Sequence, residues 1–206
     1  MVLETDRSRS ATHQSYAVLR DRILNGELPG GTKIVEEKIA SELGFSRTPI
    51  RESIRKLEYE GLIVNKRVVK PTEKDLRNNF QMRILLEGYA AQCAASFLPE
   101  KDLQALYECV EIGRKGTTEE IMDANERFHE IIVRASNNSV MIDTIDRMQS
   151  LIYLFRKTVV LNQRPHLIDE HEQIYEAIKA RDGEKAADLM KRHLQADLDF
   201  CLHIIG

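Results

Sequence analysis

Residues 40–57 read Ala40-Ser41-Glu42-Leu43-Gly44-Phe45-Ser46-Arg47-Thr48-Pro49-Ile50-Arg51-Glu52-Ser53-Ile54-Arg55-Lys56-Leu57. Ile34, Val35, Ile39, Ala40 and Leu43 place apolar side chains at helical spacing, and Gly44 suits the left-handed residue that closes a helix. The link is the four residues Leu43–Ser46, with Phe45 starting the connection. A new helix then starts at Ser46-Arg47-Thr48-Pro49, where a Ser or Thr hydroxyl can cap free amides and Pro is tolerated because a first-turn N–H has no partner to lose. Ile50, Ile54 and Leu57 mark its buried side. Two helices held at a steep angle by so short a link form a helix-turn-helix, whose second helix keeps one side open for a major groove.

The flanks complete that unit. From His13, the residues Tyr16, Leu19, Ile23 and Leu24 predict a preceding helix, ended by Asn25-Gly26 and Pro29-Gly30-Gly31. After Glu60-Gly61, the run Leu62-Ile63-Val64, Asn65-Lys66-Arg67, Val68-Val69-Lys70-Pro71 reads as a small hairpin. Residues 11–71 are therefore expected to be a winged helix-turn-helix, and residues 1–10, which are polar, a frayed tail.

Beyond Pro71 every segment has helical period and no strand candidate appears. Helices are expected near 72–97, 100–114, 118–135, 140–161, 165–180 and 184–204, broken at Pro99, at 113–117, at Ser136-Asn137-Asn138, at Gln163-Arg164-Pro165 and at Arg181-Asp182-Gly183. Short links between long helices predict an antiparallel bundle over 72–206, so the fold class is mainly α.

Composition narrows the function. The 206 residues are 42% hydrophobic and 31% charged, a foldable mixture, and the net charge of −3 excludes a uniformly basic nucleic-acid coat. Charge is uneven, however. Residues 1–75 carry 14 Lys+Arg and 12 Asp+Glu, whereas 76–206 carry 16 and 21. Within 46–70, seven basic residues face three acidic ones, which suits either a compact polyanion-binding module or a solvated helix face. No apolar run approaches the ~20 residues of a membrane helix. The opening residues lack the apolar core of a secretory signal, and Cys93, Cys109 and Cys201 form no CxxC or disulfide framework, so the expected compartment is a reducing cytoplasm.

The run 25–34, the run Ala40–Glu52 and Leu57-Glu58-Tyr59-Glu60-Gly61-Leu62 resemble a GntR-type DNA-binding domain. The helical remainder, with Arg83-Ile84-Leu85-Leu86-Glu87 and Phe128-His129, is similar to the FadR-type ligand-binding (FCD) domain. Together they cover nearly the whole chain, and they imply a transcriptional regulator, with repression the more frequent mode.

Arg47 and Arg51 can share a face of the third helix, and a guanidinium fork fits guanine N7 and O6. Ser46 and Thr48 stand beside them, Thr48 suited to a phosphate or a thymine methyl. The resemblance puts base and phosphate contacts at these positions. Lys66 and Arg67, at the hairpin tip, suit phosphates. Here the chain departs from the family, whose wing is longer and turns on glycine; no glycine lies between Gly61 and Gly88, so a short or bent wing is expected. One such head makes few contacts, which implies a homodimer on an inverted repeat of operator DNA, with the acidic bundle as its platform.

Asn125 and His129 are spaced i, i+4, and His171 and His193 are each followed by interior-type apolar residues at helical spacing. A lone helical histidine is most often a surface or satisfied residue, but three on separate helices pointing inward would hold a divalent ion with open positions. The resemblance implies such a site, zinc or nickel, held by an Asp and three His. This chain has Asn125 where the family commonly has Asp, which removes a negative charge. Arg83, in an otherwise apolar stretch, is either a surface residue or partner of Glu87, or, as the resemblance implies, the group that holds the carboxylate of a small organic acid. Two alternatives stay open: a regulator for which the ion itself is the signal, and a His-site metalloenzyme, against which stands the lack of HExxH, nucleophile-elbow and P-loop motifs.

Overall fold

A computed structural model describes the backbone of residues 2–205 and the side chains of residues 11–204 other than 149 and 156. It divides into two compact units, Met1–Thr72 with Arg147–Leu151, and Glu73–Asp146 with Ile152–Gly206.

The first unit is a winged helix-turn-helix. Helix α1 spans Val2–Leu24, α2 Glu36–Leu43 and α3 Arg47–Tyr59, followed by strands β1 (Ile63–Val64) and β2 (Arg67–Val68). The tail expected over 1–10 differs: Met1 lies outside the described residues, and the α1 backbone is helical from Val2, since neither Gly nor Pro interrupts the chain before Gly26. Leu19, Ile50, Leu57 and Leu62 are fully buried and fasten α1 to α3 and the wing. A polar bond sits inside this junction, where Ser15 Oγ and Ser53 Oγ lie 2.7 Å apart and Ser53 Oγ donates to the Pro49 carbonyl at 2.8 Å. Gly44 closes α2 at φ 70° with its N–H on the Ala40 carbonyl.

The expected cap on α3 is not made. Ser46 occupies the extended N-cap position, but its hydroxyl accepts no bond from the helix. The reason is Pro49, which stands at the third helical position and has no N–H for that hydroxyl to accept. The wing is a hairpin with a two-residue turn, Val64 opposite Arg67 and Ile63 opposite Val68. The turn residues Asn65 (φ 51°) and Lys66 (φ 58°) both adopt the left-handed conformation that hairpin twist demands, without glycine. Backbone bonds from Ile34 N–H to the Lys66 carbonyl and from Val68 N–H to the Thr32 carbonyl extend the small sheet.

Six further helices follow: α4 Glu73–Phe97, α5 Glu100–Lys115, α6 Thr118–Ala135, α7 Ser139–Leu161, α8 Leu167–Lys179 and α9 Gly183–Ile205, all in the second unit except Arg147–Leu151 of α7. Helix α4 packs on α6, α8 and α9, and α5 packs on α6 and α8. α6 starts with a reciprocal cap between Thr117 and Glu120. α8 begins two residues later than the breakers suggest, because His166 takes φ 62° and cannot join the helix. Phe80, Phe128, Ile132, Ile174, Met190 and Leu194 are fully buried. Gly88 lets α9 approach α4: a Cβ there would stand 2.8 Å from the Lys191 side chain. Among the described residues, no helix is long and apolar enough to cross a membrane.

Candidate DNA-reading surface and histidine chamber

On the first unit, Ser46, Arg47, Thr48, Arg51, Lys66 and Arg67 are all exposed. Arg47, Arg51 and Lys66 line one cleft of about 490 Å³, joined by Lys33 and Arg55, which bring α3 and the wing into a single cationic concavity. Lys33 was not singled out by the sequence, since only the strand pairing beside Arg67 carries it to that place. Carboxylates also line the cleft, and Glu37 pairs with Arg47 at 3.1 Å, both side chains about two-thirds exposed. An exposed pair of this kind contributes about 0–1 kcal/mol, so a phosphate or a base can displace it. Arg67 donates through Nη1 to the Gly31 carbonyl at 2.8 Å, which fastens the wing to the loop between α1 and α2. The uncapped Ser46 hydroxyl and the first-turn amides of α3 are suited to a backbone phosphate. Lys66→Gly keeps the left-handed turn and removes one charge per head; the slope of log affinity against log salt for duplex DNA is expected to fall by about one per head, measured by fluorescence anisotropy across a salt series.

In the second unit, His129 on α6, His171 on α8 and His193 on α9 are buried to 1–2% exposure. One nitrogen from each lies within 4.8 Å of the others. The Nε2 atom of His193 stands 3.2 Å from His171 Nε2 and 3.4 Å from His129 Nε2. Carboxylates fix the rings from behind. His129 Nδ1 donates to Glu87 Oε2 at 2.6 Å, and His193 Nδ1 donates to Glu170 Oε2 at 2.8 Å. Both rings thereby turn the Nε2 lone pair inward, the tautomer a metal ligand needs.

Each carboxylate is in turn held by an arginine. Arg83 Nε donates to Glu87 Oε1 at 2.6 Å. Arg164, from the link between α7 and α8, donates to both oxygens of Glu170 and places Nε 2.7 Å from Asp197 Oδ1. Burial pushes the pKa of the Glu170 carboxyl up, but the bonds from His193 and Arg164 outweigh it and hold the group at about 2. The sequence did not mark Glu170, Arg164 or Asp197 as site residues, and it offered Glu87 only as a possible partner of Arg83. Their one signal was a charged residue one turn from another polar residue on an apolar face, as Glu87 is from Arg83 and Asp197 from His193.

Five buried polar atoms here lack a hydrogen-bond partner: Arg83 Nη1 and Nη2, Asn125 Oδ1, and Arg164 Nε and Asp197 Oδ1, the last two meeting only as an ion pair. Leaving such atoms unmet costs about 1–3 kcal/mol each, more for a charged group. Arg83 is thus the buried partner of Glu87 rather than a surface residue, with two N–H-bearing nitrogens left over. Asn125, 4% exposed and one turn before His129, has an amide oxygen ready to accept a cation. Three imidazole nitrogens and an amide oxygen fit a divalent ion. The cysteines are free, and burial pushes the Cys109 and Cys201 thiols up to about 11 and about 12, so thiolate ligation from these two is disfavoured.

The chain matches the profile of bacterial regulatory proteins of the gntR family over residues 11–68 and the FCD domain profile over residues 79–196. It belongs to the GntR family of transcriptional regulators and carries an FCD domain. The HTH-type transcriptional regulator YdhC of Bacillus subtilis (strain 168) is 30% identical over 93% of this chain and 91% of its own length. The gluconate operon transcriptional repressor of Bacillus licheniformis is 28% identical over 93% and 84%. Escherichia coli McbR/YncC shares the fold with a TM-score of 0.77 at 22% identity, covering 95% of this chain and 99% of that one. Membership in a family of DNA-binding regulators sets the metalloenzyme alternative aside.

Proposed function

We propose that this GntR-family regulator is a repressor that binds an inverted-repeat operator as a homodimer and answers to a small organic acid held beside a divalent ion, zinc or nickel, in the histidine chamber. Repression is supported by the repressor names of relatives such as the gluconate operon regulator of Bacillus licheniformis. The two-fold arrangement follows from the small footprint of one head, since two heads reading half-sites together multiply affinity.

In each head Arg47 and Arg51 read base edges, while Ser46, Thr48, Lys66 and Arg67 meet phosphates. In the chamber Asn125, His129, His171 and His193 hold the ion, oriented by Glu87 and Glu170. A bound divalent ion would supply an electrophilic anchor for one carboxylate oxygen of the acid. Arg83 receives the carboxylate through Nη1 and Nη2. The observation that carries the reading is this pair of buried, unpartnered guanidinium nitrogens on the arginine that already braces His129 through Glu87. Acid binding favours one arrangement of the helical domain over another, and operator affinity follows the spacing of the two heads.

Arg83→Met tests this. The variant keeps its bulk and basal operator binding, but its affinity for the acid should fall about a hundredfold, the usual effect of removing one member of a buried charge pair. Zinc titration of operator affinity, with and without candidate carboxylates, is the check. A response to zinc alone, unchanged by any carboxylate and equal in Arg83→Met, would establish the ion itself as the signal.

A further inference from the structure

Helix α9 carries, besides His193, a fifth candidate donor, one that the spacing of the histidines does not advertise. Asp197 lies one turn after His193 and is 2% exposed. Its Oδ1 faces Arg164 Nε at 2.7 Å, and its Oδ2 lies 3.7 Å from His193 Nε2. That nitrogen is the one on which His171 Nε2 and His129 Nε2 also converge, at 3.2 and 3.4 Å.

Donors bound about 2.1 Å from one ion stand roughly 3.0 to 3.4 Å apart, depending on whether the angle between them is right or tetrahedral. Two of the three spacings around His193 Nε2 fall in that range; the third exceeds it, and Asp197 stands outside the group of three nitrogens that lie within 4.8 Å of one another, so its carboxylate has to swing toward His129 and His171 to reach the ion. The lone pair of His193 Nε2 and the Asp197 carboxylate repel each other in a buried space unless a metal ion or a proton stands between them. Charge points the same way. Three neutral imidazoles and the Asn125 amide leave a divalent ion without an anionic donor, whereas Asp197 is a buried carboxylate on the same face of α9 as His193.

We infer that Asp197 is a ligand of the divalent ion through Oδ2 and supplies the anionic oxygen that Asn125 lacks. The inference rests on the reading of the chamber as a metal site. Arg164 keeps Oδ1 and so orients the carboxylate, in the way that outer partners commonly orient metal ligands. The competing role for Asp197 is that of a plain ion-pair partner to Arg164.

The test is zinc affinity of the metal-stripped full chain, measured against a chromophoric chelator. Asp197→Asn preserves shape and an oxygen for Arg164 and should weaken zinc binding about a hundredfold. Adding Asn125→Asp to that variant should restore affinity to within a few-fold of the original, because a carboxylate returns to the ion. Unchanged affinity in Asp197→Asn overturns the inference, and so does a double variant as weak as the single one, which would assign Asp197 to Arg164 alone. Asp197→Cys gives an independent readout: with Co²⁺ it should show a near-ultraviolet thiolate-to-metal band that the parent chain lacks, and no such band counts against the assignment. A parent chain that takes up no zinc removes the metal site itself and this inference with it.

Discussion

Replacing Arg47 and Arg51 together by alanine is expected to lower operator affinity on the order of a thousandfold or more. A well-placed guanidinium on a guanine edge contributes about 1–3 kcal/mol, and two per head on two heads give four such contacts. Little of the loss should come from misfolding. Both side chains are exposed on α3, and the one ion pair described for them, Arg47 with Glu37, lies in solvent. The melting temperature should therefore stay close to that of the parent, while fluorescence anisotropy with operator duplex shows binding reduced to the non-specific level. Retained sequence discrimination in the double variant would mean that another surface reads the bases.

His171→Phe should abolish tight zinc binding with little effect on the metal-free fold. His171 stacks on Phe128 with ring centroids 4.1 Å apart and planes 8° from parallel, and a phenyl ring can keep that contact. What it removes is the nitrogen 3.2 Å from His193 Nε2. If the roughly 10–16 kcal/mol of a well-formed zinc site is spread over four ligands, losing one costs about 3–4 kcal/mol, a few hundredfold in affinity. Zinc should raise the melting temperature of the parent chain, since it binds the folded state, and leave that of the variant unchanged. An equal rise in both would place the ion elsewhere.

The helix-turn-helix could be read from sequence because each of its boundaries is set locally, by Gly44, Pro49 and Gly61. The same is true of the six bundle helices, whose ends fall at Pro99, Thr117 and the polar breaks near 137, 163 and 182. Departures came where a remote or neighbouring group overrode a local preference. Pro49 removes the amide that Ser46 would cap, and strand pairing forces Asn65 and Lys66 into a turn usually built on glycine. In the chamber, helical spacing made His129, His171, His193 and Asn125 candidates, and the family resemblance singled them out together with Arg83. Spacing could pair Glu87 with Arg83 but not with His129, and it could not identify Glu170, Arg164 or Asp197 as partners. Glu87 meets His129 across 42 residues and Arg164 meets Asp197 from an exposed link, and such meetings depend on which helix faces are opposed.

The central claim is that the cationic side of α3 reads a two-fold-symmetric DNA sequence. Selection of bound duplexes from a random library by the full chain, run beside the Arg47→Ala, Arg51→Ala variant, tests it most directly. The account predicts enrichment of an inverted repeat by the parent and none by the variant. Failure of the parent to enrich any sequence, or enrichment of the same sequence by both, would contradict it.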